Sequence, residues 1–307
     1  MSGMDFYDLC LASNWEYDDG FIEILDGTCH ARGRRLLTVT PSTLAGALSR
    51  LSSGEAGFSA LLDRASEADP AFLPLVDIAR SLGARRLNPR ELADRAYDKA
   101  AIHHLFLEDG IPTPRTIILP AYHHQPELPL LELQPLGGNF TAKPALGGGG
   151  DGVIMEISTL EQIQSARQHF PEQQYLLQEH VTPLIVDGLP AWLRVIYCLG
   201  DIFINYWDTN THVYTPINQG GHVGPPQQIT PPQLAPQLTG LCEITHRIAR
   251  LCRLHLFSTE IAWTEGDRLL VVDYVNDPID LRLQSRAADG VPDFIVERIA
   301  TRIVETI

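Results

Sequence analysis

The stretch Phe140-Thr-Ala-Lys143-Pro-Ala-Leu-Gly147-Gly-Gly-Gly150-Asp-Gly152-Val153 ends an apolar run on a lysine and then places a glycine-rich tip before a second run, Val153 to Ile157. This order excludes a P-loop, in which Lys-Ser/Thr follows the glycines at the start of a helix. Here the lysine comes first and a strand pattern comes last, so the segment reads as a β-hairpin. A glycine tip of this kind, centred on Gly148, Gly149 and Gly150, can fold over phosphates and donate backbone N–H groups. Four consecutive glycines lose much conformational freedom when ordered, a loss that a bound ligand offsets. The other reading is an ordinary floppy turn.

Of the 23 Lys and Arg residues only two are lysines, Lys143 and Lys99. Lys99 follows Tyr97-Asp98 at the start of a helical run that leads to the turn Gly110-Ile-Pro-Thr-Pro114. A GC-rich genome explains an arginine bias but not where the two lysines sit. An ammonium is a compact point charge suited to a crowded polyphosphate site, whereas guanidinium is a broad planar fork. Both lysines are therefore read as phosphate ligands, against the alternative of two surface lysines placed by chance.

The bulk numbers restrict the remaining options. At 307 residues and 34.0 kDa the chain exceeds the usual single-domain size, which predicts two or three lobes. Its 44% hydrophobic and 20% charged content is that of a soluble globular protein. A formal charge of -15 argues against a nucleic-acid partner. The five cysteines show no zinc or redox spacing and fit reduced, mostly buried thiols in a cytoplasm. Asp5 and Asp8 near the amino terminus argue against a signal peptide, and no run approaches the ~20 apolar residues of a membrane helix. The expectation is a cytoplasmic protein without membrane partners.

Along the chain, residues 1–91 mix short apolar runs with helical patterns, predicting a small α/β lobe. Leu36 to Val39 reads as a strand, with helices after Pro41-Ser42-Thr43 and over Pro70 to Leu82. In 92–181 a helix through Ala96, Ile102, Leu105 and Leu107 stops at Gly110. A strand at Thr116 to Leu119, a proline-containing loop over Tyr122 to Leu136, the glycine hairpin, a helix at Leu160 to His169 and a strand at Tyr175 to Gln178 follow. In 182–307 the runs Trp192 to Leu199 and Ile202 to Trp207 flank the turn pair Gly200-Asp201, a strong hairpin signal. A long helix near 236–254, two strands at Ser258 to Trp263 and Leu269 to Val275, and a closing helix from about Pro292 complete an α+β lobe.

The strongest chemical signal is acidic. Glu260 lies within Ser258 to Trp263, and Asp273 closes Leu269-Leu-Val-Val-Asp273, with Asn276 and Asp277 just beyond. Carboxylates in apolar strands are costly unless paired or metal-bound. Two such strands side by side suit Mg²⁺ bridging phosphates; pairing with Arg253 or Arg268 is the alternative. Leu176-Leu-Gln178-Glu179-His-Val181 is an apolar strand ending in polar residues, which offers a nucleotide base a wall and backbone hydrogen bonds. The pairs His103-His104 and His123-His124 lack carboxylate partners at ligand spacing and read as structural.

Taken in order, Asp98-Lys99, Gly110 to Pro114, Ala142-Lys143-Pro144 with the glycine tip, Gln178-Glu179, Leu193-Arg194-Val195, Glu260 and Asp273 to Asn276 resemble the ATP-grasp superfamily over roughly residues 88–286. The likeness is to carboxylate–amine ligases such as glutathione synthetase, D-alanine–D-alanine ligase and peptide-tailoring ligases. It implies an α/β (α+β) fold of two lobes holding ATP between them, preceded by a pre-ATP-grasp lobe. It further implies that Lys99 and Lys143 contact phosphates, that the strand end at Gln178, Glu179 and Val181 lines the adenine pocket, and that Arg194 contacts the transferring phosphate. Glu260, Asp273 and Asn276 would hold Mg²⁺, or Mn²⁺. Two departures stand out: the usual Glu-x-Asn becomes Asp273-Tyr-Val-Asn276, one residue longer, so that Asp277 replaces a ligand or a bulge restores the geometry. The acidic residue two positions before the arginine is Trp192, leaving the ribose contact to Asp187 or to nothing.

The activity expected from the resemblance is ATP-dependent ligation through an acyl phosphate. Asn218, in Asn218-Gln-Gly-Gly221, resembles a substrate-side loop, and Arg282 with Arg286 is a candidate for orienting an acceptor carboxylate. A small-molecule kinase using the same nucleotide apparatus, and a catalytically silent ATP-binding regulator, are the competing functions. Homo-oligomers are compatible with the resemblance.

Overall fold

Apolar strands alternating with amphipathic helices build a first, fully parallel sheet. In the computed structural model, which describes residues 4–217, 234 and 236–307, these elements are β1 (Asp5–Ser13), α1 (Asp19–Ala31), β2 (Leu36–Val39), α2 (Leu44–Ser52), β3 (Ala56–Arg64), α3 (Leu73–Ser81) and β4 (Arg85–Leu87). The strand order is β2-β1-β3-β4. The spacing anticipates β2, α2 and α3 but not β1, α1 or β3. Central parallel strands are buried on both faces, so they lack the alternation that marks a half-exposed strand.

The helical run expected through Ala96 is two helices, α4 (Arg90–Tyr97) and α5 (Lys99–Asp109). Asp98 divides them: its backbone is extended, and its carboxylate accepts from the N–H groups of Ala100 and Ala101 at 2.9 and 3.1 Å. That is an N-cap, which starts a helix afresh and places Lys99 in its first turn. The second sheet comprises β5 (Thr116–Leu119), β6 (Phe140–Pro144), β7 (Ile154–Ile157) and β8 (Tyr175–Glu179) in antiparallel order β5-β8-β6-β7. Helix α6 (Leu160–His169) begins with a Thr159/Gln162 capping box and packs on this sheet. Its buried Arg167 donates to the carbonyls of Pro120 and Gln125 at 2.9 and 2.6 Å and so holds down the loop before β6.

The remaining elements are the short hairpin β9 (Ile185–Val186) and β10 (Leu189–Pro190), then β11 (Trp192–Cys198), β12 (Asp201–Trp207), β13 (Tyr214–Pro216), α7 (Gln237–Cys252), β14 (Leu256–Thr264), β15 (Arg268–Asn276) and α8 (Asp293–Glu305). They form an antiparallel sheet of order β13-β12-β11-β14-β15. Alternation along β11 sends Leu193 and Val195 toward α7, and Ile196 and Cys198 toward α8 and α1. The first sheet thereby shares a core with one face of the third, while α5 shares the core of the other. All five cysteines are buried. Among the described residues no helix is long and apolar enough to cross a membrane.

One buried ion pair ties the first sheet to the segment after β15. Arg64, at the end of β3, donates to both Asp18 oxygens at 2.7 Å and to the Ile279 carbonyl at 2.9 Å, and each side chain of the pair is 1% exposed. Removing one partner leaves an uncompensated buried charge, which costs about 3–5 kcal/mol. Asp18→Ala is expected to lower stability by that amount in urea unfolding. Arg80→Ala, which removes the exposed contact to Asp77, is expected to leave the midpoint nearly unchanged.

Candidate functional site

The third sheet carries a polar row across its strands. Asn205, Arg194, Glu260 and Asp273 are register partners on β12, β11, β14 and β15, so their side chains emerge on one face. Arg194 Nη1 lies 3.6 Å from Glu260 Oε1, an ion pair rather than a hydrogen bond. The guanidinium sits over the rings of Trp207 and Tyr214, with its carbon 4.4 and 5.8 Å from their centroids. Its Nε and the Asn205 Oδ1 are buried without partners. Burial pushes the Glu260 carboxyl upward from its ordinary range; Arg194 opposes the shift and Asp273 adds to it.

The additional residue between Asp273 and Asn276 is absorbed by bulging. Ile261 pairs with Val271, Glu260 with Asp273 and Ser258 with Asn276, so β15 carries one extra residue in each interval. Asp273 therefore faces Glu260, and Asn276 Nδ2 donates to Asp273 Oδ2 at 3.0 Å. Asp277 lies elsewhere: burial raises its carboxyl to about 6, and the groups that oppose this are the Asn88 amide, Arg64 and Arg90. Among the described residues no three or more His, Cys, Asp and Glu side chains are grouped so as to hold a metal ion by themselves. Glu260, Asp273 and Asn276 bring two carboxylates and an amide together, oxygen donors that could hold Mg²⁺ only with phosphates and water completing its shell.

The two lysines approach this row from the second sheet and α5. Lys143 Nζ donates to Gln178 Oε1 and to the Val272 carbonyl, both at 2.9 Å. Burial pushes its ammonium down to about 8, with Asp273 and Glu260 pulling the other way. The Lys99 backbone N–H donates to the Ala145 carbonyl at 2.8 Å, and its Nζ to the Gly147 carbonyl. Burial lowers its ammonium too, again against the charge of Asp273. The glycine tip between β6 and β7 has a conformational reason for its composition: Gly147, Gly149, Gly150 and Gly152 all adopt φ between 63° and 118°.

Other expected site residues are dispersed more widely. Val181 is buried against Ala262 and Leu270, with Trp192 and Val272 alongside, which makes an apolar wall next to the polar row. Glu179 accepts the Arg115 N–H at 3.0 Å. Asp187 is exposed in the β9–β10 turn at φ 52°. Arg282 is already held by Asp280 and Asp289, at 2.7 and 2.9 Å, and Arg286 pairs with Glu23. Asn218 and the rest of its Gly-Gly loop lie outside the described residues. Sequence reasoning missed Asn205, Trp207 and Tyr274, whose roles depend on cross-strand register, and treated His103 as merely structural.

No family model matches the chain, and no curated protein matches it by sequence. Solved structures do. A RimK domain protein ATP-grasp from Sphaerobacter thermophilus DSM 20745 is 20% identical, with 98% of this chain and 99% of that one covered at a TM-score of 0.60. The ATP-grasp ligase PsnB, complexed with precursor peptide PsnA2 and AMPPNP, is 12% identical over 99% and 100% of the two chains, TM-score 0.62. D-alanine–D-alanine ligase from Bacillus anthracis, complexed with ATP, is 12% identical over 99% of each chain, TM-score 0.60. This chain has the ATP-grasp fold.

Behind Lys143 lies His103, buried and pushed down to about 4 from an ordinary value of 6.5, chiefly by burial. As pH falls below 6.5 the unfolded chain takes up this proton first, so stability decreases between pH 6.5 and 4. The loss amounts to about 2–3 kcal/mol across that window. In urea unfolding at pH 7, 5.5 and 4, His103→Asn is expected to show a correspondingly shallower decline than the wild type.

Proposed function

We propose that the protein is an ATP-dependent ligase that activates a substrate carboxylate as an acyl phosphate and joins it to an amine or related nucleophile. The observation that carries this reading is the convergence of Lys99, Lys143 and Arg194 on the cross-strand pair Glu260 and Asp273. Phosphoryl transfer needs alignment and charge neutralisation more than a protein nucleophile, and these residues offer both. The two lobes, 92–181 and 182–307, would hold ATP between them, with 1–91 as the preceding lobe.

In this reading the adenine lies against the wall of Val181, Ala262 and Leu270, near the strand end at Gln178 and Glu179. The glycine tip of 147–152 covers the phosphates, and Lys99 and Lys143 neutralise them. Glu260, Asp273 and Asn276 would hold Mg²⁺ or Mn²⁺, which when bound offsets phosphate charge. A carboxylate oxygen attacks the γ-phosphorus, the bond to the β-phosphate oxygen breaks, and ADP departs. Arg194, kept in place over the ring of Trp207, carries the guanidinium that would meet the transferring phosphoryl group. The amine then attacks the acyl carbon, inorganic phosphate leaves with the carbon–oxygen electron pair, and the nitrogen gives its proton to solvent. Arg282 reaches an acceptor carboxylate only by exchanging one of its two aspartates. The precursor-peptide complex of PsnB and the likeness to a D-alanine–D-alanine ligase favour a peptide or amino-acid substrate.

The test is product analysis with a panel of acids and amines. ADP and phosphate are expected only when both substrates are present, and a stable phosphoester product would replace the ligase reading with a kinase. Arg194→Ala is expected to reduce kcat by about 10²–10³ with little change in ATP affinity. ATP·Mg²⁺ at 100 times Kd stabilises a folded binder by about 2.7 kcal/mol. Lys99→Ala and Lys143→Ala are each expected to lose most of that stabilisation in a thermal shift.

A further inference from the structure

Lys143 stands at the end of a buried hydrogen-bonded chain whose first link is dictated by chemistry. An ammonium only donates, so Gln178 must turn its oxygen to Lys143 Nζ at 2.9 Å. The Gln178 amide nitrogen then faces the other way and donates to Tyr274 Oη at 3.2 Å and Thr116 Oγ1 at 3.3 Å. Tyr274 Oη, which accepts from Gln178, lies 2.6 Å from His103 Nδ1, and an unprotonated Nδ1 takes the tyrosine proton. A neutral His103 with its hydrogen on Nε2 completes the chain as the acceptor of that proton. Exposures of 6% for Lys143, 3% for Gln178, 1% for Tyr274 and 2% for His103 leave little room for water to substitute.

We propose that Tyr274 and His103 are positioning residues that lock the Gln178 amide in one orientation and so aim the Lys143 ammonium at the nucleotide phosphates. This rests on the ATP-binding reading above. Two of the three Lys143 N–H donors go to Gln178 and the Val272 carbonyl, which directs the third. A reversed Gln178 would present its NH₂ to the ammonium and push it off that line.

Tyr274 also has the right origin for this role. It occupies the stretch of β15 that bulges to bring Asp273 opposite Glu260, and its ring lies in the core shared with α5. There it stacks on His103 with centroids 5.7 Å apart and planes 20° apart, and Lys143 Nζ lies 5.2 Å from its centroid. On α5, Lys99 and His103 are four residues apart and so share one face. The helix that carries one phosphate lysine therefore sets the aim of the other. Burial favours neutral His103, one tautomer of which accepts at Nδ1.

The test compares a ligand with phosphates to one without. Binding of a non-hydrolysable ATP analogue with Mg²⁺ and of adenosine would be measured by calorimetry and ligand-observed NMR. The proteins are the wild type, Tyr274→Phe, His103→Leu and His103→Asn. Tyr274→Phe keeps the ring and removes only the hydroxyl; His103→Asn keeps an acceptor near the Nδ1 position. Tyr274→Phe and His103→Leu are expected to weaken the ATP analogue about tenfold while leaving adenosine unchanged, and His103→Asn to restore most of the loss. Equal weakening of both ligands, or unchanged affinity for the analogue in Tyr274→Phe and His103→Leu, overturns the positioning role while leaving the nucleotide reading intact. A wild-type protein that binds neither ligand overturns both.

Discussion

Glu260 and Asp273 stand opposite each other on neighbouring strands, and much of the surrounding structure follows from that pairing. Two carboxylates at cross-strand distance repel, and burial amplifies the repulsion. Cations must therefore be drawn to them: Arg194 along the row, Lys143 and Lys99 from the opposing elements. Burial penalises each of these lysines, yet Asp273 lies near enough to both to offset part of that cost. A chain with a formal charge of -15 thus concentrates positive groups at one place, where polyphosphate would be attracted.

The scaffold makes this concentration rigid rather than incidental. Both faces of the third sheet are covered, one by α7 and α5, the other by α8, α1 and the first sheet. Arg194 has little freedom between Glu260 and the ring of Trp207. Asp98 restarts the helix directly before Lys99, so that lysine's position is set by a cap. The buried Arg64–Asp18 pair, with its bond to the Ile279 carbonyl, holds the first sheet against the segment that follows the carboxylate strand.

Local chemistry was legible wherever a residue type is unusual for its place. Two lysines in an arginine-rich chain, a run of glycines between two strand patterns, and carboxylates inside apolar strands each announce themselves. The Gly200-Asp201 hairpin and the strands around it were readable because turn residues and alternation agree. The β1 and β3 strands were not, because parallel strands buried on both faces lack alternation. The α4–α5 division was half legible: Lys99 reads as the start of a helical run, while the apolar spacing from Ala96 runs through Asp98 without a break.

By itself, the sequence determined the order of elements in the second and third sheets and the identity of the principal charged groups, because helix and strand periods, turn residues and charge placement are local properties. Only the tertiary structure decided that the longer Asp273-to-Asn276 spacing is taken up by bulges, since register is a property of two strands at once. It also decided that Arg282 is already paired, that Asp277 turns away toward Asn88, and that His103 reaches Lys143 through Tyr274 and Gln178. The His103–Tyr274 contact alone joins residues 171 positions apart. No local pattern encodes such contacts, because they exist only once burial has removed water as the competing partner.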